Sequence, residues 1–397
     1  MTDSGTVIVG GGLAAVRTAE QLRRNGYTAP ITIVGAETHP PYDRPPLSKE
    51  MLRRELISAE EVALKPAGFY EDNSITVRLG CAARTVDASA RTVTLADGDV
   101  LGYDQLVIAT GLVPSRIPSF PDLDGICVLR SFDDCVALRR RAATARRAVV
   151  IGAGFIGCEV SASLRAAGMA VVLVEPQASP LASVLGEQVG ALITRLHQAE
   201  GVDVRAGVHV VSVSGTDDVE SVTLSDGSVL AADLVVVGVG SRPASDWLAG
   251  SAVAVADGVV CDAVGRTSAP EVWAIGDVAS WRDATGAQAR IEHWSNVAEQ
   301  AKTLVSAMLN RDAAARGVPY FWSDQYEVKI QCLGHPRAVD TVHLVHDFDD
   351  QDRRFLAYYE RDGVLVGVVG AGVPEKVRTA RGKIAAGAPI SEVLQPV

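Results

Sequence analysis

Residues 6–15 read TVIVGGGLAA, an apolar run that breaks into Gly10-x-Gly12-x-x-Ala15. Helix-patterned sequence follows at once, AAVRTAEQLRRNG, and stops at Gly26. A second apolar run, ITIVGAE, then closes on Glu37. Strand, glycine turn, helix, strand and acid form the opening of a dinucleotide-binding βαβ unit. The first glycine permits the tight turn, the second lets a pyrophosphate approach the backbone, and the small third residue lets helix pack on strand. The helix N-terminus faces the phosphates, and the acid can hold both hydroxyls of a ribose. One such stretch is weak evidence.

The order recurs at 148–175: strand AVVIGAG, then Gly152-x-Gly154-x-x-Gly157, helix CEVSASLRAAG, and strand AVVLVE ending in Glu175. A longer repeat supports the pairing, because VTLADGDVLGYDQLVIATG at 93–111 matches VTLSDGSVLAADLVVVGVG at 222–240. Each copy predicts a two-residue Asp-Gly hairpin and a returning strand closed by glycine, Gly111 or Gly240. Generic α/β design accounts for two such modules, but not for an acid kept at the ribose position in both. Two sites call for two dinucleotides. The first expects a resident cofactor, with FAD the natural candidate. At the second, Glu175 is followed by Pro176 and Gln177, with no arginine for a 2′-phosphate, so NADH is expected over NADPH.

A chain of 397 residues suits two or three domains. Hydrophobic residues at 48 %, charged residues at 21 % and 37 glycines describe a soluble globular protein rich in small residues that let helices pack on sheets. The net charge of −11 argues against bulk nucleic-acid or anionic-membrane binding. No apolar run reaches the roughly 18–20 residues of a membrane span. The amino terminus, MTDSGTVIVGGG, enters the glycine motif without room for a signal peptide, so a cytoplasmic protein is expected. Six cysteines, at 81, 127, 135, 158, 261 and 332, form neither C-x-x-C nor C-x4-C and show no metal-ligand spacing. Reduced, buried thiols are the expectation.

Three further motifs carry chemistry. In PYDRPPLSK at 41–49 the prolines pin the backbone, so Arg44 and Lys49 arrive preorganised. A guanidinium matches pyrophosphate oxygens two at a time. Lys49 sits near the start of a helix expected over SKEMLRRE, where a cation opposes the helix dipole; a solvated surface lysine is the plain alternative. VWAIGDVA at 272–279 delivers Asp277 to the C-terminal end of an apolar strand, where open α/β sheets bind ligands, or else Asp277 caps a following helix. In FWSDQY at 321–326, Trp322 is either a core aromatic or a pocket wall. Glu159, in GFIGCE, is at least a first-turn acid on a favourable dipole.

With LVIATG at 106–111 and VVIGAGFIGCE at 149–159, these motifs resemble the FAD-dependent, NADH-using ferredoxin reductases of bacterial P450 and ring-hydroxylating oxygenase systems, over essentially the whole chain. The resemblance implies an α/β, glutathione-reductase-like fold. An FAD domain (1–113 and 244–318) with Rossmann-type topology is interrupted by an NADH domain (114–243), and a C-terminal α+β interface domain follows (319–397). It implies FAD contacts from Gly10, Gly12, Ala15, Glu37, Arg44, Lys49, Ala109, Thr110, Gly111, Asp277 and Val297. NADH contacts are implied for Gly152, Gly154, Gly157, Glu159, Glu175, Gly240 and Glu292. Asp277 would bond the flavin ribityl chain. Lys49 would sit at the flavin N5 edge, paired with Glu159 across the two domains, and Trp322 against the flavin and nicotinamide pocket. These three, Lys49, Glu159 and Trp322, are the implied catalytic residues. RIEHWSNVAEQA at 290–301 would be the helix entry that meets the flavin pyrimidine, with His293 or Trp294 flanking the ring.

The implied reaction passes a hydride from NADH to FAD, and electrons then leave singly to a [2Fe–2S] ferredoxin that feeds a P450 or ring-hydroxylating oxygenase. Thiol-based relatives need cysteine near Lys49, where Pro46, Leu47 and Ser48 stand instead. A rubredoxin or monodehydroascorbate acceptor stays open, as does an NADH-sensing flavoprotein that signals through a partner. An acidic ferredoxin calls for a basic rim, with steering that weakens as salt rises; Arg44, Arg290, Arg311, Arg316, Lys329 and Arg337 are the candidates. LRRRAATARRA at 138–148 reads as an exposed helix face. The segment from Pro319 onward, with 9 Lys/Arg against 11 Asp/Glu, is no basic tail. Its RRFLAYYE and GVLVGVVG runs, turning at Arg361-Asp362-Gly363, predict a small antiparallel sheet ending in a helix near SEVLQPV. A monomer or weak homodimer is expected.

Overall fold

A computed structural model describes residues 4–53, 58–283, 286–312, 317–346 and 353–394. The chain divides into two compact units. The first comprises Met1–Asp43, Ser58–Val113 and Ser241–Gly317, and the second Arg44–Ile57, Pro114–Gly240 and Val318–Val397.

The first unit is built on a five-stranded parallel sheet in the order Val272–Ala274, Gln105–Ile108, Thr6–Val9, Ile31–Val34, Ile75–Arg78. Thr6–Val9, the central strand, is buried at every position, the continuous burial expected where helices cover both faces of a parallel sheet. Helix Leu13–Arg24 follows it, and Gly26 leaves the helix at φ 80°. The hairpin excursion lies between Ala83–Asp87, Thr92–Leu95 and Val100–Gly102.

The second unit repeats the plan: Asp203–Ala206, Ala170–Glu175, Arg147–Ile151, Leu234–Val237, Ile126–Cys127, all parallel. Its excursion uses Val210–Gly215, Val219–Leu224 and Val229–Ala231. The turns differ from the two-residue form read from the sequence. Leu95 N–H bonds to the Asp99 carbonyl (2.8 Å) and Leu224 N–H to that of Ser228 (2.9 Å), so three residues turn. Gly98 (φ 94°) and Gly227 (φ 84°) occupy the left-handed position that closes a three-residue loop. The Arg361–Val364 turn does have two residues, Asp362 and Gly363, both at positive φ.

The C-terminal stretch forms a five-stranded antiparallel sheet in the order Tyr320–Gln325, Val328–Gly334, Val364–Ala371, Phe355–Arg361, Thr341–His346. One face shares a core with the second parallel-sheet module: Phe321, Ile330, Phe355 and Tyr359 pack with Leu185, Val189, Ile193 and Leu196 of helix Ala182–Ala199. The other face packs on Val377 and Ala380 of helix Pro374–Ala385. The principal C-terminal helix therefore lies earlier than expected. Ser391–Leu394 adds one turn, and residues 395–397 of the expected SEVLQPV helix lie outside the described residues.

Two other expectations are corrected. The basic run at 138–148 is not one helix: helix Phe132–Ala142, capped by Ser131, ends inside it, and Arg147 opens a strand. Arg141 pairs with Asp218, and Arg147 with Asp233 at 2.5 Å. Asp277 caps no helix, because a 3₁₀ turn, Gly276–Val278, passes directly into strand Ala279–Arg282. Among the described residues no helix is long and apolar enough to cross a membrane, and no side-chain group is arranged to hold a metal ion.

Candidate functional site

Each unit carries one glycine loop between a parallel strand and a helix, and the glycines do different work. In the second unit Gly152 stands at φ 93°, and a side chain there would meet the Gly238 carbonyl at 2.4 Å; at Gly157 it would meet the Gly152 carbonyl at 1.9 Å. These two are glycine for reasons internal to the protein. Gly154 differs. As helix N-cap it has φ −71°, ψ −177°, extended backbone open to any residue, and an added Cβ would touch nothing within 4 Å. The first unit agrees: Gly10 (φ 132°) is forced by the Ala109 carbonyl at 2.1 Å, whereas Gly12 (φ −108°, ψ −168°) meets nothing. Ala15 is fully buried, as the helix-packing position requires. Neither Gly12 nor Gly154 offers a side-chain cap, and neither first turn holds an acid: Glu159, expected in the first turn of its helix, lies beyond it. Both helix N-termini thus present free amides across space that only glycine leaves clear, which fits a bound pyrophosphate.

The acids follow suit. Glu175 accepts from the Ala153 amide (2.7 Å) beside the glycine loop and from the Gln177 amide (3.0 Å). Glu37 is held by the buried Tyr42 hydroxyl at 2.5 Å. Around the first loop, the Ala109 amide donates to Val9 (2.7 Å), Thr110 Oγ1 to the Ala244 carbonyl (2.8 Å), and the Gly111 carbonyl accepts from Ala244 (2.9 Å). Gln300 takes the Gly276 amide at 3.0 Å and braces the turn carrying Asp277. Val297 is buried on helix Trp294–Met308, and Trp294 donates to Asp43 at 2.7 Å.

The second unit holds a buried polar cluster. PYDRPPLSK splits at Asp43; its second part forms a 3₁₀ turn, Pro45–Ser48, and one helical turn, Glu50–Arg53, follows it. Residues 54 and 55 of the helix expected there lie outside the described residues. Lys49 is only 6 % exposed, which removes the solvated-lysine alternative, and Glu159 is 2 % exposed. Lys49 Nζ donates to Glu159 Oε2 (2.7 Å) and to the Pro45 carbonyl (3.0 Å). Ser48 Oγ donates to the same carboxylate oxygen at 2.5 Å and Ser323 Oγ to the other at 2.7 Å. Glu159 is therefore a buried carboxylate with three donors, which is the condition for keeping a charge out of water. The pair lies within one unit, not across two. Neither serine was singled out from sequence as a partner of Glu159.

Trp322 sits on the strand that carries Ser323, on the opposite face. It stacks on Tyr320 (6.0 Å between centroids), donates to Asp324 at 3.0 Å and lies 5.6 Å from Lys329 Nζ. Other expected residues are not brought to this cluster. Arg44 donates to the Arg130 carbonyl at 2.5 Å. Glu292 belongs to the first unit, exposed and ion-paired with Arg290. Gly240 closes a strand of the second unit at φ 98° and accepts from Ser115 at 2.9 Å. Arg290 also meets Asp257 (3.1 Å), Lys329 meets Asp324 (2.7 Å), and Arg311 donates to Asn25. Arg337 is exposed; Arg316 lies outside the described residues.

All six cysteines are free. Burial pushes Cys135 up to about 11 and Cys261 up to about 12, and raises Cys158 and Cys332 as well. These are inert thiols.

Known proteins are similar to this chain over most of its length. The chain is 37 % identical to the ferredoxin–NAD(+) reductase component of the p-cumate 2,3-dioxygenase system of Pseudomonas putida, covering 94 % of this chain and 92 % of that one. It is 34 % identical to a rubredoxin–NAD(+) reductase of Ectopseudomonas oleovorans, with 89 % and 92 % covered. The crystal structure of the covalent putidaredoxin reductase–putidaredoxin complex superposes with a TM-score of 0.94 at 30 % identity, over 100 % of this chain and 96 % of that one. Residues 4–301 match the pyridine nucleotide-disulphide oxidoreductase family and residues 320–394 the reductase C-terminal domain. Matched to that family's model from residue 4 to residue 301, and similar to these reductases over most of its length, this chain belongs to the pyridine nucleotide-disulphide oxidoreductase family.

Proposed function

We propose that this protein is a ferredoxin–NAD(+) reductase that carries FAD, oxidises NADH and reduces a [2Fe–2S] ferredoxin serving a P450 or ring-hydroxylating oxygenase. The observation that carries the reading is the pair of glycine loops, each with one glycine that neither backbone nor packing demands. The first unit would hold FAD through Gly10, Gly12, Ala15, Glu37, Ala109, Thr110, Gly111, Asp277 and Val297. The second would hold NADH through Gly152, Gly154, Gly157 and Glu175, with the reacting end of the dinucleotide assigned to Lys49, Glu159 and Trp322. Bound FAD supplies two-electron acceptance and one-electron release.

The protein's own part is electrostatic and steric. Glu159, bonded to Lys49 and to two hydroxyls, holds the ammonium in one place, and a fixed cation favours negative charge developing near it. Trp322 and Tyr320 form an aromatic wall that excludes water. Glu175 accepts hydroxyl donors of a ribose and repels a 2′-phosphate, which supports NADH over NADPH. Disulphide chemistry, from which the family takes its name, is not expected of Cys135, Cys158, Cys261 and Cys332, whose burial holds the thiol protonated.

The test begins with the absorption spectrum of the purified protein and its bleaching by NADH against NADPH. A yellow protein bleached much faster by NADH is expected. Carriers are then added one at a time in a cytochrome c assay. Similarity to a rubredoxin–NAD(+) reductase over 89 % of the chain favours one second reading. Turnover with rubredoxin and none with any ferredoxin would decide for it.

A further inference from the structure

Glu159 stands on helix Phe155–Ala166, and strand Tyr320–Gln325 of the C-terminal sheet meets the first two turns of that helix. Burial alternates along the strand, with Phe321, Ser323 and Gln325 on the buried face. Phe321 meets Phe155 edge to face, 4.9 Å between ring centroids, and Ser323 Oγ donates to Glu159 Oε1 at 2.7 Å. Phe155 and Glu159 are four residues apart and share one face of the helix. Phe321 and Ser323 are two apart and share one face of the strand. The strand is thus registered on the helix, ring against ring and hydroxyl against carboxylate. Ser323 is 0 % exposed, at a position where a core strand ordinarily carries an apolar side chain. A buried hydroxyl is tolerated only with a partner, and the partner here is the carboxylate that holds Lys49.

The two oxygens of that carboxylate are served unequally. Oε2 receives both Lys49 Nζ (2.7 Å) and Ser48 Oγ (2.5 Å). Among the described residues, Oε1 receives Ser323 Oγ alone. The Gln325 amide, 3.3 Å away, takes the acceptor side of Ser323 Oγ, so the single hydroxyl proton is given to Glu159. The last torsion of a glutamate side chain is broad and roughly two-fold. Donors gathered on Oε2 therefore anchor one atom without fixing the carboxylate plane, and a donor on Oε1 is what fixes it. Without Ser323, Oε1 becomes a buried acceptor with no donor, and the plane turns to find one. Turning displaces Oε2, and with it the ammonium that Oε2 holds.

We propose that the C-terminal sheet completes the reacting site: Ser323 is a positioning residue that orients the Glu159 carboxylate and thereby places the Lys49 ammonium. The consequence for the reaction rests on the reductase reading; the placement of the ammonium does not. The first measurement is nitrogen NMR of the ¹⁵N-lysine-labelled holoenzyme, with the Lys49 ammonium signal identified by its loss in Lys49→Met. A slowly exchanging, hydrogen-bonded ammonium is expected in the wild type, and a shifted or broadened one in Ser323→Ala, which removes a single oxygen. No such signal in the wild type, or one unchanged in Ser323→Ala, overturns the proposal. The second measurement is stopped-flow bleaching by NADH. Ser323→Ala should slow the limiting rate about tenfold with NADH affinity within about twofold, the pattern of a misplaced catalytic group rather than a damaged binding site. In a Glu159→Leu background Ser323→Ala should add no further loss, because its effect passes through that carboxylate. A purely structural serine would slow both backgrounds alike. Wild-type bleaching in Ser323→Ala, or losses that multiply in the double variant, overturns the proposal. A wild-type protein that NADH does not bleach defeats the reductase reading instead, and the ammonium signal still judges the placement.

Discussion

The ammonium of Lys49 and the carboxylate of Glu159 are both withdrawn from water, which makes each a liability without the other. Breaking such a pair from one side costs about 3–5 kcal/mol, whereas replacing both partners by apolar groups is often near neutral. Lys49→Met leaves Glu159 with the Ser48 and Ser323 hydroxyls, so its cost should fall at the low end, about 3 kcal/mol. Glu159→Leu strands the ammonium with the Pro45 carbonyl and Ser48, and should cost at least as much. The double variant should regain most of that stability in chemical denaturation, while NADH-driven bleaching stays more than tenfold slow in all three. A double variant no more stable than the worse single would show that the pair is not coupled. Lys49 and Glu159 were legible in the sequence because both stand in distinctive motifs. The serines that complete the carboxylate's shell were not: Ser48 and Ser323 lie 111 and 164 residues from Glu159, and no local pattern marks such a contact.

At the level of the strand–turn–helix element, five glycines that look alike in sequence divide into two kinds. Gly154→Ala places a methyl where no protein atom lies within 4 Å, so the fold and its melting temperature should hold while the NADH KM rises about tenfold or more. Gly12→Ala should likewise leave a folded chain, one that purifies with little flavin. Gly157→Ala drives its Cβ to 1.9 Å from the Gly152 carbonyl, and should lower the melting temperature by several degrees. Equal melting temperatures in Gly154→Ala and Gly157→Ala would contradict the division. The paired strands and both opening helices were legible because apolar runs and glycine punctuation are local signals. Helix Pro374–Ala385 was overlooked because its buried residues are few, Val377 and Ala380, within a charged stretch. The Asp-Gly turns were mistaken by one residue because Asp-Gly suits both the two-residue hairpin and the three-residue loop; only the register of Leu95 on Asp99 separates them.

On the scale of the whole molecule, the shared core of the C-terminal sheet and helix Ala182–Ala199 was hidden, since packing between such distant segments leaves no periodicity to read. Net charge, by contrast, is entirely a property of composition, and it bears on the carrier. Two of the six rim cations named from sequence are compensated: Arg290 by Asp257 and Glu292, Lys329 by Asp324. Against a net −11, an acidic ferredoxin meets repulsion at long range and attraction only at contact. The two are screened differently, because the Debye length falls from about 30 Å at 0.01 M salt to about 10 Å at 0.1 M. Between those concentrations the distant charges drop out first, while charges that meet at contact keep much of their pull. The second-order rate of ferredoxin reduction should therefore rise severalfold from about 0.01 M to about 0.1 M salt, then decline at higher salt as contact attraction weakens. A rate that falls steeply from the lowest salt onward would mean that an uncompensated basic patch outweighs the molecule's charge. In that case Arg337→Ala, at one of the exposed cations among the candidates, should flatten the slope.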